Sequence, residues 1–182
     1  MRTAFRILAA LPALSILPTA QADQDPLLSC FPTEKDVPGL QAMGEGRHAA
    51  GEDLTLIYDG GYQRYLDAGV TQASQNFYRL SGGTVEITLD QMKTPAAAER
   101  FFSSLCQDIK ATPAALSRAQ KAKLCLATRE GSSYGYLTVG SLLALVSFDR
   151  SDEKPVTALL QSVATRFGAG TKTGPRARGR ER

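Results

Sequence analysis

The chain has 182 residues, a formal net charge of +3 and 43% hydrophobic residues, with three cysteines and a single histidine. That length suits one domain whose core needs no metal or disulfide framework to hold it, and one histidine excludes a histidine-based metal cluster. The basic balance is local: Arg2 and Arg6 lie at the start, and Lys172, Arg176, Arg178, Arg180 and Arg182 against Glu181 lie at the end. Residues 23–166 are therefore net acidic, at about −3, which excludes a nucleic-acid reading built on the high pI.

Residues 1–22 have the pattern of a secretory signal peptide. A basic start is followed by the short apolar run Ile7–Leu17 and by Ala20-Gln21-Ala22, which places cleavage between Ala22 and Asp23. The apolar run is too short to span a bilayer and no second run is long enough, so the expectation is a soluble periplasmic or secreted protein with no transmembrane segment in the mature chain. From 23 to 51, Pro26, Pro32, Pro38, Gly39, Gly44, Gly46 and Gly51 predict an irregular lead-in, packed on the body through Leu27, Leu28, Phe31, Val37 and Leu40. Residues 52–58 read equally as strand or as the acidic first turn of a helix.

Tyr58–Val70 is the densest stretch of aromatic, charged and glycine residues. Residues 61–68 read as two helical turns closed by Gly69, with Tyr62, Tyr65 and Leu66 on one face. Arg64 and Asp67, three apart, are within ion-pair reach on the other side. Two readings follow. In one, the tyrosines are the core face of a short helix. In the other, Tyr58, Asp59, Arg64 and Asp67, which such a helix cannot bury, form a ligand- or partner-binding surface.

A strand ending at Leu80, the Ser81-Gly82-Gly83 turn and the alternation of Val85, Ile87 and Leu89 with Thr84, Glu86, Thr88 and Asp90 predict a hairpin with one buried and one wet face. Thr94-Pro95 opens a helix with the apolar stripe Ala98, Phe101, Phe102, Leu105 and Ile109. Thr112-Pro113 predicts a second, short helix ending near Lys121. Strands follow at 124–128, 134–139 and 142–148, the last apolar on both faces. Tyr134 and Tyr136 share one face of the middle strand. Pro155 opens the final helix, with Val156, Leu159, Leu160, Val163 and Phe167 as its stripe and Gly168 as its cap.

The predicted fold is α+β in two layers: a mainly antiparallel sheet of about five strands with helices packed on one face. The predicted organisation is a signal peptide (1–22), a lead-in (23–51), a single domain (52–167) and a disordered basic tail (168–182) able to touch anionic envelope surfaces. In an oxidising compartment Cys106 and Cys125 are the expected disulfide, joining a helix end to the next strand. Cys30 is left over: buried, bonded to another chain, or, through Leu27-Leu28-Ser29-Cys30, a lipidation site.

Asp59-Gly60-Gly61 with Tyr65-Leu66 and Gly69, and Val85-Glu86-Ile87 with Met92, Thr94-Pro95 and Ala98, resemble the two signatures of the exported bacterial family called domain of unknown function 6599. Val37-Pro38-Gly39 fits the same pattern, and the resemblance covers about residues 30–167. The chain departs from it at Tyr62-Gln63-Arg64 and at Ala98-Glu99-Arg100, where the family tends to Ala-Phe-Gly. The resemblance implies an exported α+β domain and carries no activity.

No Gly-x-Ser-x-Gly elbow, phosphate loop, calcium loop or paired cysteine spacing occurs. The sequence therefore points to a small exported binding or accessory protein without an assignable reaction, metal or cofactor, acting on a protein or a small ligand. The alternatives are an envelope enzyme using the Tyr/Arg/Asp cluster at 58–67 and a lipid-anchored factor held through Cys30.

Overall fold

Two-residue turns organise the strands. Ser81-Gly82 and Glu130-Gly131 both place consecutive residues at positive φ, the turn geometry whose twist matches antiparallel partners. The computed structural model, which describes residues 27–117 and 121–170, accordingly has β3 (Val70–Leu80) folded onto β4 (Gly83–Met92), and β6 (Ala122–Arg129) onto β7 (Ser132–Val139) and then β8 (Leu142–Phe148). With β1 (Gln41–Ala42), β2 (Arg47–Ala50) and β5 (Ala114–Ser117), these make one eight-stranded sheet in the order β1-β3-β4-β8-β7-β6-β5, with β2 also on β3. Every pairing is antiparallel.

The α+β class and the antiparallel sheet are as expected. The count of about five strands and the helices on a single face are not. Along β8, Leu142, Ala144, Val146 and Phe148 belong to one core and Leu143 to another, with Leu145 packed against the second. The helix α3 (Glu153–Gly170) lies on the first face, and α1 (Tyr62–Ala68) and α2 (Pro95–Asp108) on the second. The molecule thus has three layers. The physical reason is β8 itself: it sits between β4 and β7, and a central strand apolar on both sides needs cover on both sides.

α2 starts as its residues dictate, with Thr94 Oγ1 accepting from Ala97 N (3.1 Å) and Pro95 in the first turn. Its buried stripe of Ala98, Phe101, Phe102 and Leu105 carries Cys106 alongside, disulfide-bonded to Cys125 of β6. α3 buries Val156, Leu159, Leu160 and Val163 completely and runs past Gly168 to Gly170 rather than stopping there. It lies tightly on β7, because Gly135 has no side chain: a Cβ there would stand 2.5 Å from Val156 Cγ1 and 2.8 Å from Leu160 Cδ1.

The stretch expected to be irregular supplies β1 and β2, which take their extended form by pairing with β3. Before them, Leu27, Cys30, Phe31, Val37 and Leu40 enter the α3-side core, whereas Leu28 is exposed. Arg166 of α3 holds this segment by donating to Asp36 Oδ2 (2.6 Å) and Thr33 Oγ1 (3.1 Å), and holds the Asp36 carboxyl down at about 2. Residues 51–56 form a 3-10 turn. The helix expected after Thr112-Pro113 is replaced by the edge strand β5. The open edge of β6 offers Ala114–Ser117 backbone hydrogen bonds, and tertiary pairing overrides the weak helical preference of so short a piece. No helix among the described residues is long and apolar enough to cross a membrane.

Candidate functional site

The α2-side face of the sheet is built from aligned rows. The register places Phe77 of β3, Glu86 of β4, Ser147 of β8 and Tyr134 of β7 side by side. The next row is Gln75, Thr88, Leu145 and Tyr136, and the next is Ala73, Asp90, Leu143 and Thr138. α1 and α2 roof the Asp90 end. At the other end the first row, with Thr84, Ser132, Phe148 and Asp149, lines a cleft of about 230 Å3. The face of β4 expected to be wet is therefore open at Thr84 and Glu86 and closed beyond them: Thr88 and Asp90 are buried. The correction follows from β4 lying next to β8, under the same roof.

Three polar residues on this face of β4, Glu86, Thr88 and Asp90, run from the cleft to the roof. Gln75 Nε2 donates to Glu86 Oε1 (2.8 Å) and lies 3.5 Å from Thr88 Oγ1. Gln75 Oε1, buried, has no hydrogen-bond partner among the described residues. Asp90 is fully buried; the Tyr58 hydroxyl donates to its Oδ1, and its Oδ2 has no partner among the described residues. Burial raises the Asp90 carboxyl to about 7, against the pull of the Tyr58 hydrogen bond. Burial, and then the Asp90 charge, raise the Tyr58 phenol well above its ordinary range.

Tyr58 stacks on Tyr65 of α1, with ring centroids 3.5 Å apart, and Tyr65 meets Phe101 of α2 edge to face at 5.3 Å. Tyr65 is raised to about 12, mainly by burial. Arg64 lies 5.5 Å from the Phe101 ring centroid and donates to Asp108 Oδ2 (2.5 Å) and Ser104 Oγ (3.1 Å). A continuous brace thus runs from Asp90 through two tyrosines to the outer surface of α2. It locks α1 over the sheet and closes the roofed end.

The four residues singled out at 58–67 do not share a site. Tyr58 turns inward to Asp90. Arg64 pairs with Asp108 rather than with Asp67, because α1 packs on α2 and presents the guanidinium to that helix. Asp67 accepts from Gln63 Nε2 (2.9 Å) on the surface of α1, and Asp59 is exposed. Tyr62, Tyr65 and Leu66 pack against the α2-side core, as a core-facing helix stripe requires. The residues that sequence reasoning missed are Gln75, Phe77, Ser147 and the inward role of Glu86, Thr88 and Asp90. Their signal was present in part: a polar alternation on a strand that must pair with an all-apolar neighbour.

The cleft offers two carboxylates, hydroxyls and aromatic rings. The single histidine, His48, lies on the other face of the sheet, with Nδ1 2.9 Å from Ser74 Oγ. Among the described residues no group of three or more His, Cys, Asp or Glu side chains is placed to hold a metal ion. The arrangement can therefore orient a ligand by hydrogen bonds and stacking, and Asp90 can exchange a proton near neutrality only if the roof opens.

No protein-family model matches the chain, and no curated protein does. Among solved structures, the chain is similar to the extracellular domain of PknH from Mycobacterium tuberculosis, at 10% sequence identity and a TM-score of 0.49, over 80% of this chain and 94% of that one.

Proposed function

We propose that this chain is a small exported binding or accessory protein that holds a small ligand in the cleft formed by Phe77, Glu86, Ser147 and Tyr134. The observation that carries the reading is the half-roofed sheet face. One end is sealed by the Tyr58–Tyr65 brace, and the other is a concavity lined by two carboxylates, hydroxyls and aromatic rings. Concave, partly apolar sites with a few converging polar groups are the usual form of ligand sites.

Export is supported by the leader pattern of residues 1–22, which lie outside the described residues, and by the Cys106–Cys125 disulfide, a bond that persists in oxidising compartments. Membership of the domain of unknown function 6599 family, and one α+β domain between the leader and the basic tail, belong to the same proposal. The tail residues 171–182 also lie outside the described residues. Anchoring through Cys30 is disfavoured. Lipidation would make Cys30 the first residue and remove Leu27, which is 1% exposed in the α3-side core, and Cys30 itself is buried there.

The test is mass spectrometry of small molecules released from protein purified out of its native envelope, wild type against Ser147→Trp, which fills the cleft. Wild-type protein is expected to release a species that the filled variant does not. Identical profiles from two folded proteins refute the binding reading. The mass of the exported protein tests the rest: cleavage before Asp23 with no added lipid is expected, and a lipid-modified Cys30 would overturn it.

A further inference from the structure

We infer that the cleft selects a small organic cation, a primary ammonium or guanidinium carried on a short chain. This rests on the binding reading above and names the chemistry of its ligand. Two carboxylates, Glu86 and Asp149, stand among the eight residues that line the cleft, and none of the eight is basic. The neighbouring Arg150 is engaged at the hairpin turn, donating to Ser81 O (2.7 Å). One oxygen of each carboxylate is used within the protein: Glu86 Oε1 accepts from Gln75 Nε2 (2.8 Å), and Asp149 Oδ1 accepts from Thr84 N (2.8 Å).

A second observation points the same way. Gln75 is 5% exposed and lies behind the cleft, with its amide directed at Glu86. The amide thus holds the Glu86 carboxylate in place from behind the cleft wall, and an ammonium or guanidinium carries only donors to offer that carboxylate.

The walls fit the same ligand. Phe77 and Tyr134 end a row of four strands, and three strand spacings put their backbones roughly 14 Å apart. Both line the cleft with Glu86 and Ser147 on the strands between them, so a cation held at the carboxylate has aromatic side chains in the same cleft. An anion would face two carboxylates with no counter-charge. A neutral ligand would cover Glu86 without compensating it, and burying an unpaired charge is costly. The volume, about 230 Å3, admits one such group and its short chain rather than a drug-sized molecule.

The experiment is a titration of the full chain, followed by backbone amide spectra, with three probes of similar length: agmatine, pentanoate and pentanol. Agmatine is expected to move the signals of Phe77, Glu86, Tyr134 and Ser147 saturably, and the other two to leave them in place. Glu86→Gln is expected to weaken agmatine by about tenfold, the effect of removing one charge-assisted hydrogen bond. Added salt is expected to weaken it as well. Tyr134→Leu, which leaves both carboxylates untouched, is expected to weaken it severalfold and keeps the test decisive if Glu86→Gln does not fold. Pentanol or pentanoate moving the same signals as strongly overturns the cationic class while leaving a binding cleft standing. Agmatine leaving the cleft signals unmoved overturns the inference too. Only matching mass spectra for wild type and Ser147→Trp reach further, to the binding reading itself.

Discussion

Asp90→Asn is the substitution that reads the roofed end most directly. Asp90 sits in the middle of the sheet, fully buried, with Tyr58 as partner to one oxygen and, among the described residues, none to the other. Its carboxyl is raised from 3.8 to about 7 in the folded chain. Between about pH 4 and about pH 7 the folded protein keeps a proton that the unfolded chain has released, so stability falls as pH rises through that window. Three pH units at about 1.36 kcal/mol each give a loss of roughly 4 kcal/mol, complete above pH 7. Asparagine keeps the shape and an acceptor for Tyr58 but cannot ionise, so it abolishes this loss. It also buries an amide with no acceptor in reach, at about 1–3 kcal/mol. The variant should therefore be less stable than wild type near pH 4 and more stable near pH 8, with crossing curves. Urea unfolding at both pH values, disulfide intact, measures this. If the variant and the wild type lose the same stability between pH 4 and pH 8, Asp90 does not titrate in that window and the account of the buried column is wrong.

Three further outcomes follow from packing and pairing. Gly135→Ala should destabilise by about 1–3 kcal/mol, because the added methyl drives α3 off β7 at Val156 and Leu160; an unchanged denaturation midpoint would show that α3 is not seated as described. Removing the disulfide with Cys106→Ala and Cys125→Ala together should cost about 3 kcal/mol for a loop of 19 residues; peptide mapping without reductant should recover the two cysteines linked in the wild type, and both alkylatable would refute the bond. Arg64→Ala should cost at most about 1 kcal/mol, since its pair with Asp108 is half exposed, and Asp67→Ala less; a double-mutant cycle that finds strong Arg64–Asp67 coupling would contradict the partners assigned here.

Elements held by their own residues were readable from the chain. The Gly82-Gly83 hairpin, the alternation in β4, the Thr94-Pro95 start and the stripes of α2 and α3 all depend on contacts within a few positions. The Cys106–Cys125 pairing was also legible, from a helix end and a strand close in sequence. What needed a distant partner was not. β1, β2 and β5 are strands because β3 and β6 have edges to fill. Arg64 chooses Asp108, 44 residues away. Asp90 is buried because β4 lies beside β8, a pairing that spans more than fifty residues. One clue was sufficient yet unused: a β8 apolar on both faces is incompatible with helices on one face alone, and it implies that the polar side of any strand beside it is at least partly covered.

Helix length explains why that cover stops where it does. α2 has 14 residues, roughly 21 Å of helix, while β4 has 10 residues, roughly 33 Å of strand. Even laid along the strands, α2 cannot reach from one end of the sheet to the other. α1, seven residues long, and the 3-10 turn before Tyr58 add their cover at the Asp90 end, next to α2 rather than beyond it. On the opposite face the 18 residues of α3 are joined by the segment from Leu27 to Leu40, and the core there is continuous from Val139 to Phe148. The two faces differ in composition accordingly. The fully covered face carries Val85, Ile87 and Leu89, and the half-covered one carries Glu86, Thr88 and Asp90 on the same strand. The open cleft and the buried acid are thus two ends of one polar column. Its cost is tolerable because one end meets solvent or a ligand and the other keeps its proton beneath Tyr58 up to about pH 7.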